Sequence, residues 1–388
     1  MRFSISHKKF LPIFFVYHLG FIILSYFYTL KKGGDANFYW FQTATITNTS
    51  WLDHLNIGSD VILFVNYPFS ILLNLPFWFG FLLYGCIGFL GILQLFRLCK
   101  AWVGEEVRFF GINVLPLFLF LPNMHIWTAG ITKEALCFLA IATILLKIYK
   151  ESYRSVGLWV SFIFLFLLRP HIAITLLFSI GLVLLWVKNW KLVYKIYIAS
   201  TMAVVLAVGY VLFLQLSQIK SLHWGRLLRF NEGSILSFQD SGSYVPMLEY
   251  GYPMKLFSFY FRPLFADTQN LFQWVLSVEN LILIALHLFV VYLFVRYWKT
   301  VKTDTLFKIV LVFALVAGVL YVQRYANLGI FARTKVMMQP FLVLGLLWFV
   351  KFYKTGGGGD VIASVARQSV IASVPRQHPS QNKINMNK

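Results

Sequence analysis

The chain has 388 residues, of which 59% are hydrophobic, 19% aromatic and only 12% charged, and its formal net charge is +20. Soluble domains hold about 45–50% apolar and about 25% charged residues, so this composition excludes an ordinary soluble domain and marks an integral membrane protein. In a soluble chain so many cations would point to nucleic acid; here they sit in short loops between apolar runs, where they report orientation and contact with anionic headgroups, and no nucleic-acid partner is expected.

A crossing needs about 20 apolar residues. On that measure helices are expected near 10–30, 76–96, 109–121, 135–148, 156–168, 172–187, 193–215, 271–295, 305–323 and 336–350, an all-α polytopic bundle of about ten transmembrane helices. The first follows Arg2, Lys8 and Lys9 with no small-residue cleavage site before Lys31, so it reads as an uncleaved anchor with a cytoplasmic amino terminus. Ten crossings put the carboxyl terminus on the same side. The charges agree: 22 of the 34 Lys and Arg residues fall in the segments this topology assigns to the cytoplasm, whereas 9 of the 14 acids fall outside. Residues 61–75, interrupted by Asn66 and Pro68, read as a partly inserted outer-face segment.

The transmembrane domain is expected over 1–355, with a large outer loop at 216–270. Beyond it, 356–388 opens on four glycines and then repeats itself (VIASVARQS, VIASVPRQH), and disorder without function is expected there. Cys86, Cys99 and Cys137 lack paired metal-ligand spacing and read as small core residues, so neither a disulfide nor a metal is expected. No glycine loop for a nucleotide is visible and no cofactor is expected.

Segments 109–121 and 156–168 have 13 residues each, which covers about 20 Å of a hydrocarbon core about 30 Å thick. Their outer ends should therefore lie below the surface, enclosing a pit lined by polar backbone. The groups expected to face it are Asp35 in KKGGDANFYW, then Trp127, Lys133 and Glu134, then Arg169 and His171, Arg262 beside Asp267, and Arg324 and Arg333 in QRYANLGIFARTK. Ionisable groups at membrane depth are costly, so such a cluster argues for a site. Each also has a plain structural reading. Glu134 suits a helix amino terminus and Lys133 a solvated one; Asp35 suits a cap; His171 suits a turn; Arg324 and Arg333 suit headgroup anchoring; Arg262 and Asp267 suit each other. Arginine recognises phosphate oxygens in a bidentate manner, aromatic faces such as Trp127 suit sugars, and a carboxylate or imidazole (Asp35, Glu134, His171) can take a hydroxyl proton.

The strings LPNMHIWTAGITKEALCF, RPH after a short helix, FRPLF before a helix with an internal Glu, and NLGIFARTK before the last helix resemble pieces of multispanning proteins from bacterial surface-polysaccharide clusters, the Wzy/EpsG-type polymerases, and more distantly the GT-C glycosyltransferases. The resemblance implies a multi-pass protein of the bacterial cytoplasmic membrane. It would transfer a growing glycan from a polyprenyl diphosphate to the next lipid-linked repeat unit on the outer face, with Arg169, Arg262, Arg324 and Arg333 holding diphosphates. Membrane lipids and other polysaccharide-assembly proteins are the partners it implies. In the GT-C version Asp35 would be the base and a polyprenyl-phosphate sugar the donor, although GGDANFYW lacks the sharper acidic pair of those enzymes. A flippase or transporter of a lipid-linked or anionic solute stays open as a third reading, and would be expected to carry matched broken helices.

Overall fold

The computed structural model describes residues 5, 8–42, 50–109, 111–187, 190–217 and 224–354. Among them the chain is a helical bundle with one two-stranded hairpin. Six helices are long and apolar enough to cross a membrane, or up to seven if the bent pair Leu328–Met337 and Gln339–Tyr353 is one span. The chain is thus an all-α protein of multi-pass membrane type. The expected tail at 356–388 lies outside the described residues.

Helix α1 (Phe10–Lys32) ends at Gly33, and both Gly33 (φ 72°) and Gly34 (φ 129°) occupy backbone conformations that side chains disfavour. This turn delivers the short α2 (Asp35–Asn37) to the end of the bundle. Helix α3 (Asp60–Tyr67) continues as a wider turn through Pro68–Leu72, so the segment expected at 61–75 is helical. Helix α4 (Phe77–Trp102) runs back beside α1. A side chain at Gly88 would meet the Thr128 carbonyl oxygen at 1.9 Å, so glycine there permits the close backbone approach.

The helix expected at 109–121 is not formed. Strands β1 (Arg108–Phe109) and β2 (Ile112–Asn113) pair as a hairpin, and α5 (Leu115–Leu119) and α6 (Pro122–Thr128) follow. The cause is local. Gly111 sits at φ 80°, Asn113 Oδ1 accepts the amides of Val107 (3.1 Å) and Leu115 (3.2 Å), and Pro116 and Pro122 each start a helix. The apolar run therefore breaks into three pieces.

Helix α7 (Lys133–Tyr149) packs along α4 in the middle of the bundle. Thr132 caps it, its Oγ1 accepting the Ala135 amide at 3.3 Å, which fixes Lys133 and Glu134 in the first turn. Helix α8 (Val156–Leu168) has the 13 residues expected of it and stops at Arg169, because Pro170 opens α9 (Pro170–Val187) and bars helical geometry before it. Then come α10 (Leu192–Ser217), α11 (Trp224–Leu236), α12 (Tyr252–Phe261), α13 (Leu271–Arg296), α14 (Thr305–Val322), the short α15 (Leu328–Thr334) and α16 (Gln339–Lys354). Helix α14 packs against both α9 and α16, and α15 lies beside α12. These contacts bring four chain ends together: the exit of α1, the start of α7, the junction of α8 with α9, and the α14–α15 connection. Cys99 and Cys137 are buried as expected of core residues; Cys86 is instead on an exposed face of α4.

Candidate functional site

The centre of that convergence is Glu134. Its carboxylate is wholly buried and faces two guanidiniums: Oε1 accepts from Arg333 Nε at 2.8 Å and also from Arg169. Arg333 reaches further, its second nitrogen meeting Asp35 Oδ2 at 2.6 Å. Arg169 points its other nitrogen at the Tyr321 hydroxyl (3.1 Å), which also lies 3.3 Å from His171 Nε2. Lys133 Nζ donates to Ser59 Oγ at 2.8 Å. Among the described residues no carboxylate lies in ion-pair range of that ammonium.

The local folding explains the arrangement. Pro170 ends the 13-residue α8 at Arg169, whose guanidinium meets the start of α7 and is largely shielded from solvent. Asn327 caps α15 through the Ile330 amide (3.1 Å), and Arg333 falls in the last turn, one side toward Glu134 and the other toward the α1 exit. The exposures form a gradient. The side chain of Glu134 is 0% exposed, Arg169 11%, Arg333 23% and Asp35 53%, so the ion-pair chain runs from the interior to an open rim. Two guanidiniums, Arg169 and Arg333, face the two carboxylates, and Lys133, bonded to Ser59, adds a third cation next in sequence to Glu134. Two buried atoms of the set, Glu134 Oε2 and Arg169 Nε, have no hydrogen-bond partner, and neither has the indole nitrogen of Trp127. Buried polar atoms without partners call for a physical explanation, and a polar ligand or ion at the cluster is one.

Of the residues singled out from sequence, Asp35, Arg333, Glu134 and Arg169 are joined by direct contacts, His171 is linked to Arg169 through the Tyr321 hydroxyl, and Lys133 is next to Glu134 in sequence. Arg324 caps the same end: its guanidinium stands 4.0 Å over the Phe230 ring and its Nε lies 3.2 Å from Ser234 Oγ, tying α11 to the end of α14. Arg262 belongs to a separate unit, with Nε 2.9 Å from Asp267 Oδ2, the Tyr250 hydroxyl at 3.5 Å, and Asp267 Oδ2 also accepting the Leu264 amide at 2.8 Å. Sequence reasoning missed Tyr321 and Ser59. The signal for Tyr321 was its place at the end of α14, three residues before Arg324.

A second buried polar group lies beneath. Glu279 Oε2 accepts the Asn123 amide at 2.8 Å, Asn123 Nδ2 donates to the Ala332 carbonyl at 2.9 Å, and Lys335 Nζ donates to Asn280 Oδ1 (2.8 Å) and the Tyr260 carbonyl (3.1 Å). This network holds the segment carrying Arg333 from below. Glu279, Asn123 and Gln339 also line a cavity otherwise walled by Leu95, Leu121 and Leu283.

Comparison with family models, with curated proteins and with solved structures finds no match to this chain.

Proposed function

We propose that this chain is a membrane enzyme of bacterial surface-polysaccharide biosynthesis, akin to the Wzy/EpsG-type polymerases, working on the outer face of the cytoplasmic membrane. The observation that carries the reading is the Asp35–Arg333–Glu134–Arg169 chain of ion pairs, with cations in excess, opening at one end of an apolar bundle. The reaction would run as follows. A hydroxyl of the incoming lipid-linked repeat unit attacks the anomeric carbon of the growing glycan; the bond from that carbon to the diphosphate oxygen breaks; polyprenyl diphosphate departs with the electron pair. The hydroxyl proton goes to a carboxylate or imidazole, and guanidiniums neutralise the departing diphosphate, an interaction worth more as charge develops than before. Arg169 and Arg333 suit that role because Glu134 aligns both.

The topology that goes with this reading has ten crossings and both termini in the cytoplasm. In it α5 and α6 together replace the single helix expected at 109–121, forming a broken crossing between the inner end of α4 and the outer start of α7. The placement of Lys100, Lys147, Arg296 and Lys351 at the end opposite the cluster supports it. The polyprenyl-linked glycan and membrane lipids are the partners.

A GT-C transferase remains the second reading, favoured by the exposure of Asp35 just after the first helix. Asp35→Asn separates the two: a repeat unit lacking one sugar supports GT-C transfer, whereas accumulation of complete single repeat units in Arg169→Lys supports the polymerase. A transporter wants a matched pair of broken helices; α5–α6 is interrupted whereas α8 is continuous over its 13 residues, and their sequences do not match, which argues against it.

A further inference from the structure

Arg333 is shared between two carboxylates of opposite character. Glu134 is buried, serves Arg169 as well, and cannot leave without stranding two guanidiniums. Asp35 is more than half exposed and, among the described residues, its carboxylate is held by Arg333 alone. An exposed pair of that kind contributes little net stability. The turn before it leaves room beside the carboxylate: Gly33 and Gly34 stand at φ 72° and 129°, and a side chain at Gly34 would meet no atom within 4 Å. One carboxylate of the cluster is therefore fixed and the other replaceable.

The charge tally then indicates the ligand. With Asp35 in place, the two guanidiniums of Arg169 and Arg333 are matched by two carboxylates and Lys133, bonded to Ser59, adds one further cation next in sequence to Glu134; with Asp35 swung out three cations are left with one carboxylate, an excess of two positive charges. A ligand group with about two negative charges balances that, and a diphosphate carries such a charge on two adjacent groups.

We propose that Asp35 is a displaceable counter-ion that occupies the Arg333 guanidinium edge until a diphosphate takes its place. The diphosphate's attachment to a lipid rests on the function proposed above; the exchange itself does not.

The test uses the full chain in detergent micelles, with inorganic pyrophosphate as the probe and calorimetry as the readout. Asp35→Asn should tighten pyrophosphate binding about fivefold, the gain from removing an exposed competing pair. Losing one negative charge anywhere near the cations would also help an anion, so the measurement is repeated in Arg333→Gln. Exchange at Arg333 requires the gain to vanish in that background; a gain of equal size in both backgrounds overturns the proposal, as does unchanged or weaker binding by Asp35→Asn. Arg333→Gln keeps a planar donor beside Glu134, and if it does not yield monodisperse protein, Arg333→Lys is used, where the gain should shrink. No pyrophosphate binding by either the parent or Asp35→Asn also overturns it. The polysaccharide reading fails separately: cells carrying Arg169→Lys with normal long chains sink that reading while leaving the pyrophosphate result untouched.

Discussion

The buried carboxylate of Glu134 accepts from Arg333 Nε at 2.8 Å, and the same oxygen also takes the guanidinium of Arg169. One acid thus orients two arginines that arrive from distant parts of the chain. Replacing it leaves both cations short of a counter-charge in a dry setting, and the cost of breaking a buried pair is about 3–5 kcal/mol. Glu134→Gln should lower the thermal unfolding midpoint in detergent well below that of Asp35→Asn, whose pair lies at the rim. Equal midpoints for the two variants would contradict this account of the cluster.

Arg169 touches Glu134 and the Tyr321 hydroxyl at once, which a planar fork can do and an ammonium cannot. Arg169→Lys is expected to insert normally yet lose glycan assembly by about tenfold or more, on the order of one lost charged hydrogen bond. Tyr321→Phe should be milder, because the guanidinium keeps Glu134. The comparison is read from glycan yield at matched membrane abundance.

The Arg262–Asp267 pair makes a pH prediction. Burial would raise the Asp267 carboxyl, but the Arg262 guanidinium and the Leu264 amide outweigh it and hold the group below the usual carboxylate range. A depressed folded value gives stability that is present above the unfolded value, about 3.9, and is lost as pH falls through the folded one. The protection of amides over 262–270, taken relative to their intrinsic exchange rate at each pH, should therefore fall below about pH 4, and Asp267→Asn should be poorly protected already at neutral pH with that acid dependence gone. A wild-type profile in Asp267→Asn would show that the pair does not hold the turn.

Gly88 tests the packing on which the site rests. A Cβ there would lie 1.9 Å from the Thr128 carbonyl oxygen, which is backbone and has little room to yield. Overpacking of this kind costs about 1–3 kcal/mol, so Gly88→Ala should lower the unfolding midpoint, whereas Gly20→Ala, where nothing lies within 4 Å, should not.

Much of this was legible in the sequence because the lipid phase imposes long apolar runs with few alternatives. The bounds of α8 and α13, and the start of α14, followed from that rule nearly to the residue. The error at 109–121 has a definite source: hydropathy averages the single polar residue Asn113 and the weakly scored Gly111 and Pro116 into an apolar run, whereas their effect on the backbone is conformational. The charged members of the cluster were also visible, since an ionisable residue beside an apolar run stands out. Their partnership was not, because Glu134 and Arg333 meet only after α15 has been folded back by its Asn327 cap. Tyr321 and Ser59 were hidden for another reason: hydroxyls are common at helix ends and carry no charge to mark them. Orientation across the membrane has its own check. In a cysteine-free background, Asp240→Cys should react with an impermeant maleimide in intact cells, and reaction only after permeabilisation would reverse the topology.

The central claim, that the Arg169–Glu134–Arg333 cluster handles a lipid-linked diphosphate glycan, is tested most directly by profiling lipid-linked intermediates and surface-glycan chain length together in cells carrying Arg169→Lys or Arg333→Gln at equal membrane abundance. The account predicts loss of long chains with accumulation of single, complete lipid-linked repeat units in both. Normal long chains in both variants, with no intermediate accumulating, would contradict it.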